Sequence, residues 1–176
     1  RALHLAQGGF ALFLAACNDA RWRDRCVSQL STRFPDSITA ACSAATVDPL
    51  EAIPRRDTPP SAIHITRLEL AVAASDPDPA PLRRLNLHRA RWQELGCPVV
   101  FWVPEYLLGL ILRRAPDFAN WRSSSFRFVP PSGWATAAHA DAALEKSSTE
   151  AATASPWDDA TARDPRIAEL TARLHA

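Results

Sequence analysis

The residues with chemistry to offer are Cys17, Cys26, Cys42 and Cys97, the histidines His4, His64, His88 and His139, the carboxylate Glu69, and a set of arginines. Cys17 or Cys97 beside one of those histidines would make a thiolate nucleophile with its base, but the spacing places none of them together. His64 sits inside a strand pattern and reads as packed or paired. No CxxC occurs and no histidine completes a zinc spacing. Cys17, Cys42 and Cys97 lie in or beside apolar runs, as reduced core thiols do, so a reducing, cytoplasmic setting is expected. A GxSxG elbow is missing, and Ser123, Ser124 and Ser125 read as the turn before a last strand. Arg89, Arg91, Arg113, Arg114 and Arg122 could cluster near helix ends and bind phosphate or a partner's carboxylates. A solvated helix face is the plainer reading of the same residues. Trp121 and Arg122 follow a break at Pro116-Asp117, where Asp117 can cap a short turn. An exposed Trp–Arg pair there would anchor an interface, and a buried one would be core. Trp102 and Trp134 raise the same choice.

A phosphate loop needs glycines so that backbone N–H groups can wrap phosphate, a lysine for charge and Ser or Thr for magnesium. The position after the first strand reads Ala16-Cys17-Asn18-Asp19-Ala20-Arg21-Trp22-Arg23, without any of these. No GxGxxG occurs, and the chain has only five glycines. Glu69, at the end of the third expected strand, could hold magnesium as a Walker B acid does. A surface carboxylate at a strand end is the commoner case.

The elements that must position these groups follow from periodicity. Residues 10–17 and 98–103 are apolar throughout, as in strands buried on both faces. Between them the pattern gives a helix over about 20–34, capped by Asp19, a weaker small-residue strand over 38–47, and a helical turn or two over 48–53. A strand over 62–70 and a helix over 82–95 follow, the helix closed by Gly96. After 98–103, Pro104 opens a leucine-rich helix that Pro116 ends. Phe126 and Phe128 alternate with Ser125 and Arg127, as in a half-buried strand. Strands alternating with helices make βαβ units with right-handed crossovers. The expected fold is α/β, a three-layer sandwich with a mainly parallel sheet of about five strands. Residues 1–131 are expected to form that domain and 132–163 a linker, partly helical or disordered. Residues 164–176 would begin a helical region, with Ile167, Leu170 and Leu174 on one face.

Across 176 residues the net charge is +1, which argues against nucleic acid as a partner. Hydrophobic residues make up 47%, enough for a core. No run reaches the roughly 18 apolar residues of a membrane span. Residues 8–17 lack the flanks of a signal peptide. The chain opens on Arg1 and holds no methionine, so a fragment of a longer protein is expected.

The stretch PVVFWVPEYLLGLILRRAPDFANWRSSSFRF resembles a segment of bacterial multidomain signalling proteins that carry tetratricopeptide repeats. There a proline-ended strand, a leucine-rich helix, an APDF–WRS stretch and an F-x-F strand recur. Residues 85–89 (LNLHR) resemble the preceding LN-x-x-R helix, and residues 9–19 and 63–69 resemble the first and third strands. Asn86, Arg89, Pro104, Pro116, Asp117, Trp121 and Arg122 are the matching positions. The resemblance spans about residues 8–130. It implies a P-loop-like domain of the STAND/AAA type that has lost its nucleotide motifs, with repeats following. The expectation is a non-catalytic regulatory or protein-interaction domain without cofactor or metal, acting in signalling or defence. Its partner would be another protein or domain of the same pathway, met through Arg89, Arg113, Arg114, Trp121 and Arg122. The alternatives are a nucleotide-binding switch with a non-standard phosphate site built from Asn18, Asp19 and arginines, or a Cys/His hydrolase.

Overall fold

The computed structural model describes residues 1–134 except 7, 73–75 and 77. Arg1–Pro130 form one unit, from which Pro131–Ala176 are separate. The terminal helix expected over 164–176, and nearly all of the linker expected over 132–163, lie outside the described residues.

In chain order the elements are α1 (Ala2–Leu5), β1 (Ala11–Ala16), α2 (Ala20–Arg33), β2 (Ile38–Ala41), a 3-10 turn (Pro49–Ala52), β3 (Ile63–Thr66), α3 (Leu68–Ala71), α4 (Ala80–Leu87), α5 (Arg89–Gln93), β4 (Pro98–Val103), α6 (Glu105–Arg114), α7 (Pro116–Asn120) and β5 (Arg122–Arg127). The five strands form one sheet in the order β2-β3-β4-β1-β5, and every pairing is parallel. The expected α/β class and parallel sheet are therefore present.

Strand alternation divides the core in two. Leu12, Leu14, Val99, Phe101 and Val103 face α3 to α7, where Trp92, Phe101 and Phe118 pack ring against ring at 5.1–5.9 Å. Ala11, Phe13, Ala15, Val100 and Trp102 face the other way, onto Leu3 of α1 and Cys26 and Val27 of α2. All six residues of β1 and all six of β4 are buried, which is why neither strand has a polar side. Asp19 caps α2, its carboxylate accepting from the Trp22 N–H at 2.7 Å.

Several expected elements come out differently. The helix expected over 82–95 is two helices. His88 leaves helical geometry (φ −96°, ψ 20°), and its ring N–H donates to Asp48 Oδ2 at 2.6 Å. That carboxylate, 4% exposed, also receives the Leu50 N–H at 3.1 Å and has Arg91 at 3.8 Å, so the pair ties the α4–α5 junction to the 3-10 turn. The strand expected over 62–70 stops at Thr66, because Arg67 takes a left-handed conformation (φ 60°) and starts α3. β2 is four residues long, since Ser43 and Thr46 close a turn after it. Ser123, Ser124 and Ser125 lie inside β5 rather than before it. β5 is an edge strand, where polar side chains meet water on both faces. Gly96 does take the left-handed conformation between α5 and β4 (φ 64°).

Candidate functional site

Parallel α/β sheets bind ligands in the crevice outside the carboxyl ends of their strands. Here that end is built from the turn after β1, the start of α3 and the start of α6. Asn18 Oδ1 accepts the Glu105 N–H at 2.8 Å and so joins the β1 turn to the first turn of α6. The Cys17 N–H donates to Val103 O at 2.9 Å and its thiol to Asp19 O at 3.3 Å. Glu105 also pairs with Arg127 at the end of β5.

Arg23, one turn into α2, is 4% exposed. Its Nη1 donates to Glu69 at 2.8 Å and its Nε to Asp24 at 2.9 Å. Burial works against the guanidinium charge, but the hydrogen bonds and charges of Asp24 and Glu69 outweigh it and raise the pKa above the usual arginine value. The sequence places Glu69 at a strand end and on the surface. The structure places it on α3, mostly covered and ion-paired. The left-handed turn at Arg67 is what swings it there. Tyr106, on α6, feels the same carboxylate: burial first, then the Glu69 charge, raise its phenol. Among the described residues no group of three or more His, Cys, Asp or Glu could hold a metal ion.

Glu69→Gln is expected to cost about 1.5–3 kcal/mol, the range for a hydrogen bond to a charged group. The double variant Arg23→Met, Glu69→Leu should recover most of the loss, because it removes the buried charge together with its partner. Urea unfolding midpoints decide this. A single variant as stable as the parent would show that the pair contributes nothing.

The five residues expected at an interface fall in three places. Arg89 and Arg114 line one groove of about 550 Å³, with Arg83, Arg84, Asn86 and Leu87. Arg113 is exposed on α6, its guanidinium folded back towards Gly109. Trp121 and Arg122 lie at the far end of α7. Trp121 is 38% exposed and meets Phe10 edge-on at 6.4 Å, and Arg122 donates to Ala119 O at 2.8 Å. Asn86 knits α4 to α7, accepting the Phe118 N–H at 3.0 Å and donating to Asp117 Oδ2 at 3.3 Å. In the sequence Arg83 and Arg84 read only as the polar face of the helix over 82–95; the structure puts them in one groove with Arg89 and Arg114.

All four cysteines are free and buried. Burial pushes Cys42 and Cys97 up to about 11 and raises Cys17 and Cys26. A thiol held protonated is a poor nucleophile. Cys17 and Cys97 also lie at opposite ends of the sheet, since β1 and β4 run parallel with Ala11 opposite Pro98. His64 is fully buried, and its Nδ1 accepts the Trp102 indole N–H at 3.2 Å. Both observations weigh against a Cys–His catalytic pair. Among the described residues no helix is long and apolar enough to cross a membrane.

No family model, no curated protein and no solved structure matches the chain.

Proposed function

We propose that the chain is a non-catalytic regulatory and protein-interaction domain of a larger cytoplasmic bacterial signalling or defence protein, P-loop-like in architecture and without nucleotide chemistry. One observation carries this reading. At the carboxyl end of the sheet, where parallel sheets bind ligands, the Arg23–Glu69 pair ties α2 to α3 and the Asn18 bridge ties the β1 turn to α6. The strand order supports it. β1 lies between β4 and β5, and its connection leads away in the direction opposite to that of β4, so the turn at 17–19 borders the crevice that a phosphate loop would line. The residues of that turn are committed elsewhere, with Asp19 capping α2 and Asn18 bound to α6. Arg23, in the first turns of α2, is likewise committed, to Asp24 and to Glu69 of α3.

Thermal unfolding with and without millimolar ATP or GTP and magnesium tests the reading, and no shift is expected. A nucleotide at about 100 times its dissociation constant adds roughly 2.7 kcal/mol, a rise of several degrees for a chain of this size. A rise of that kind would overturn the reading in favour of a nucleotide switch using Asn18 and Asp19.

A further inference from the structure

The groove between α4 and α6 gathers positive charge. Residues 1–134 hold sixteen arginines, no lysine and twelve carboxylates. Four of those arginines, Arg83, Arg84, Arg89 and Arg114, line this one concavity of about 550 Å³, and no carboxylate lines it. The acids nearby are already engaged. Asp78 pairs with Arg83 at 2.9 Å, with both side chains more than half exposed, and Asp117 holds the Asn86 amide at 3.3 Å. The guanidinium groups of Arg84 and Arg114 have no ion pair among the described residues. Arg89 is steadied by a hydrogen bond to Asn86 O at 3.3 Å. At the end of α4, Leu87 stands 67% exposed among these charges. Planar guanidinium forks match carboxylates two bonds at a time. The Arg83–Asp78 bridge, open to water on both sides, is weak enough for an incoming acid to replace.

We propose that this groove binds an acidic polypeptide segment of a partner protein, its carboxylates on Arg84, Arg89 and Arg114 and one apolar side chain on Leu87. The inference rests on the interaction-domain reading and names the partner's chemistry. A nucleic-acid strand fits less well. No aromatic side chain lines the groove for bases to stack on, and the exposed leucine would face phosphate.

The test is fluorescence anisotropy of the full chain with a labelled peptide of Asp, Glu and Leu. Its counterpart with Asn and Gln for every carboxylate, and a single-stranded DNA of equal charge, serve as comparisons. Binding to the acidic peptide is expected, weakening as salt screens the contact. The double variant Arg84→Ala, Arg114→Ala should lose about tenfold or more in affinity, and Leu87→Ser several-fold. Arg113→Ala, on the same helix but outside the groove, should bind as the parent does. These residues are exposed, so unchanged thermal midpoints show that the variants fold. The proposal is overturned by no peptide binding, by equal binding of the Asn/Gln peptide, by binding that survives the double variant, or by DNA binding more tightly and indifferent to Leu87→Ser. A nucleotide-induced rise in the thermal midpoint would count against the functional reading alone. Loss of peptide binding without such a rise would count against the groove alone.

Discussion

Trp102→Ala should destabilise the protein by about 3–5 kcal/mol, the range for removing a buried aromatic side chain. Trp102 is fully buried near the end of β4, a strand covered on both faces. Its ring packs on Phe128 at 4.8 Å, and its indole N–H is the hydrogen-bond partner of His64. Truncation loses three things together: the apolar contact, the aromatic pair and the donor to a buried imidazole. A mostly apolar pocket of about 310 Å³, open to the surface, already lies against Trp102, Phe126 and Phe128, so alanine would enlarge it. Urea unfolding of the parent, Trp102→Ala and Trp102→Phe separates the contributions. Phenylalanine should keep most of the packing and lose the hydrogen bond, placing it between the other two. A loss below about 1 kcal/mol for alanine would contradict the burial of β4.

Acid should unfold the protein through His64. Burial pushes the His64 pKa down to about 4 from its ordinary 6.5. The ring accepts through Nδ1, so its proton sits on Nε2, which is buried without a partner among the described residues. A second proton would have to go on Nδ1, where it would face the Trp102 N–H and break that hydrogen bond. In the unfolded chain the imidazole takes that proton below about 6.5, while in the folded chain it does so only below about 4. Between those values the unfolded state binds more protons, so stability falls as pH falls and levels off below the folded value. The loss is on the order of 3 kcal/mol. Unfolding midpoints from pH 7 to 4, for the parent and His64→Leu, measure it. The variant should be less stable at pH 7, having lost the acceptor for Trp102, and should show a much flatter slope across the window. Parallel slopes would assign the acid sensitivity to other groups.

What was legible in the sequence depended on how far away the deciding partner lay. β1 and β4 could be read because burial on both faces leaves an unbroken apolar run. The cap at Asp19 could be read because it acts within three residues. The break at His88 is set by Asp48, 40 positions earlier. The burial of Arg23 is set by Glu69, 46 positions later, so α2 reads as simply amphipathic with arginines in water. β5 is half legible: the sequence reads as a half-buried strand, whereas the edge strand is exposed along nearly all its length, and its serines resemble a turn. The candidate groove was divided in the same way. Arg89 and Arg114 are legible as arginines near helix ends, but Arg83 and Arg84 come together with them only once α4, the turn at His88 and α6 are folded.

The place of β1 in the sheet also sets an order of events. Of the five strands of this sheet it is the first synthesised, yet its two neighbours, residues 98–103 and 122–127, are the last two. Neither ladder of hydrogen bonds can form until nearly the whole domain has left the ribosome. Until then six apolar residues wait without partners, exposed to other nascent chains and to chaperones. Both pairings close long loops, so folding should be slow for a domain of this size. A chain ending before residue 122 would leave one side of the apolar strand β1 open and should be recovered in the insoluble fraction.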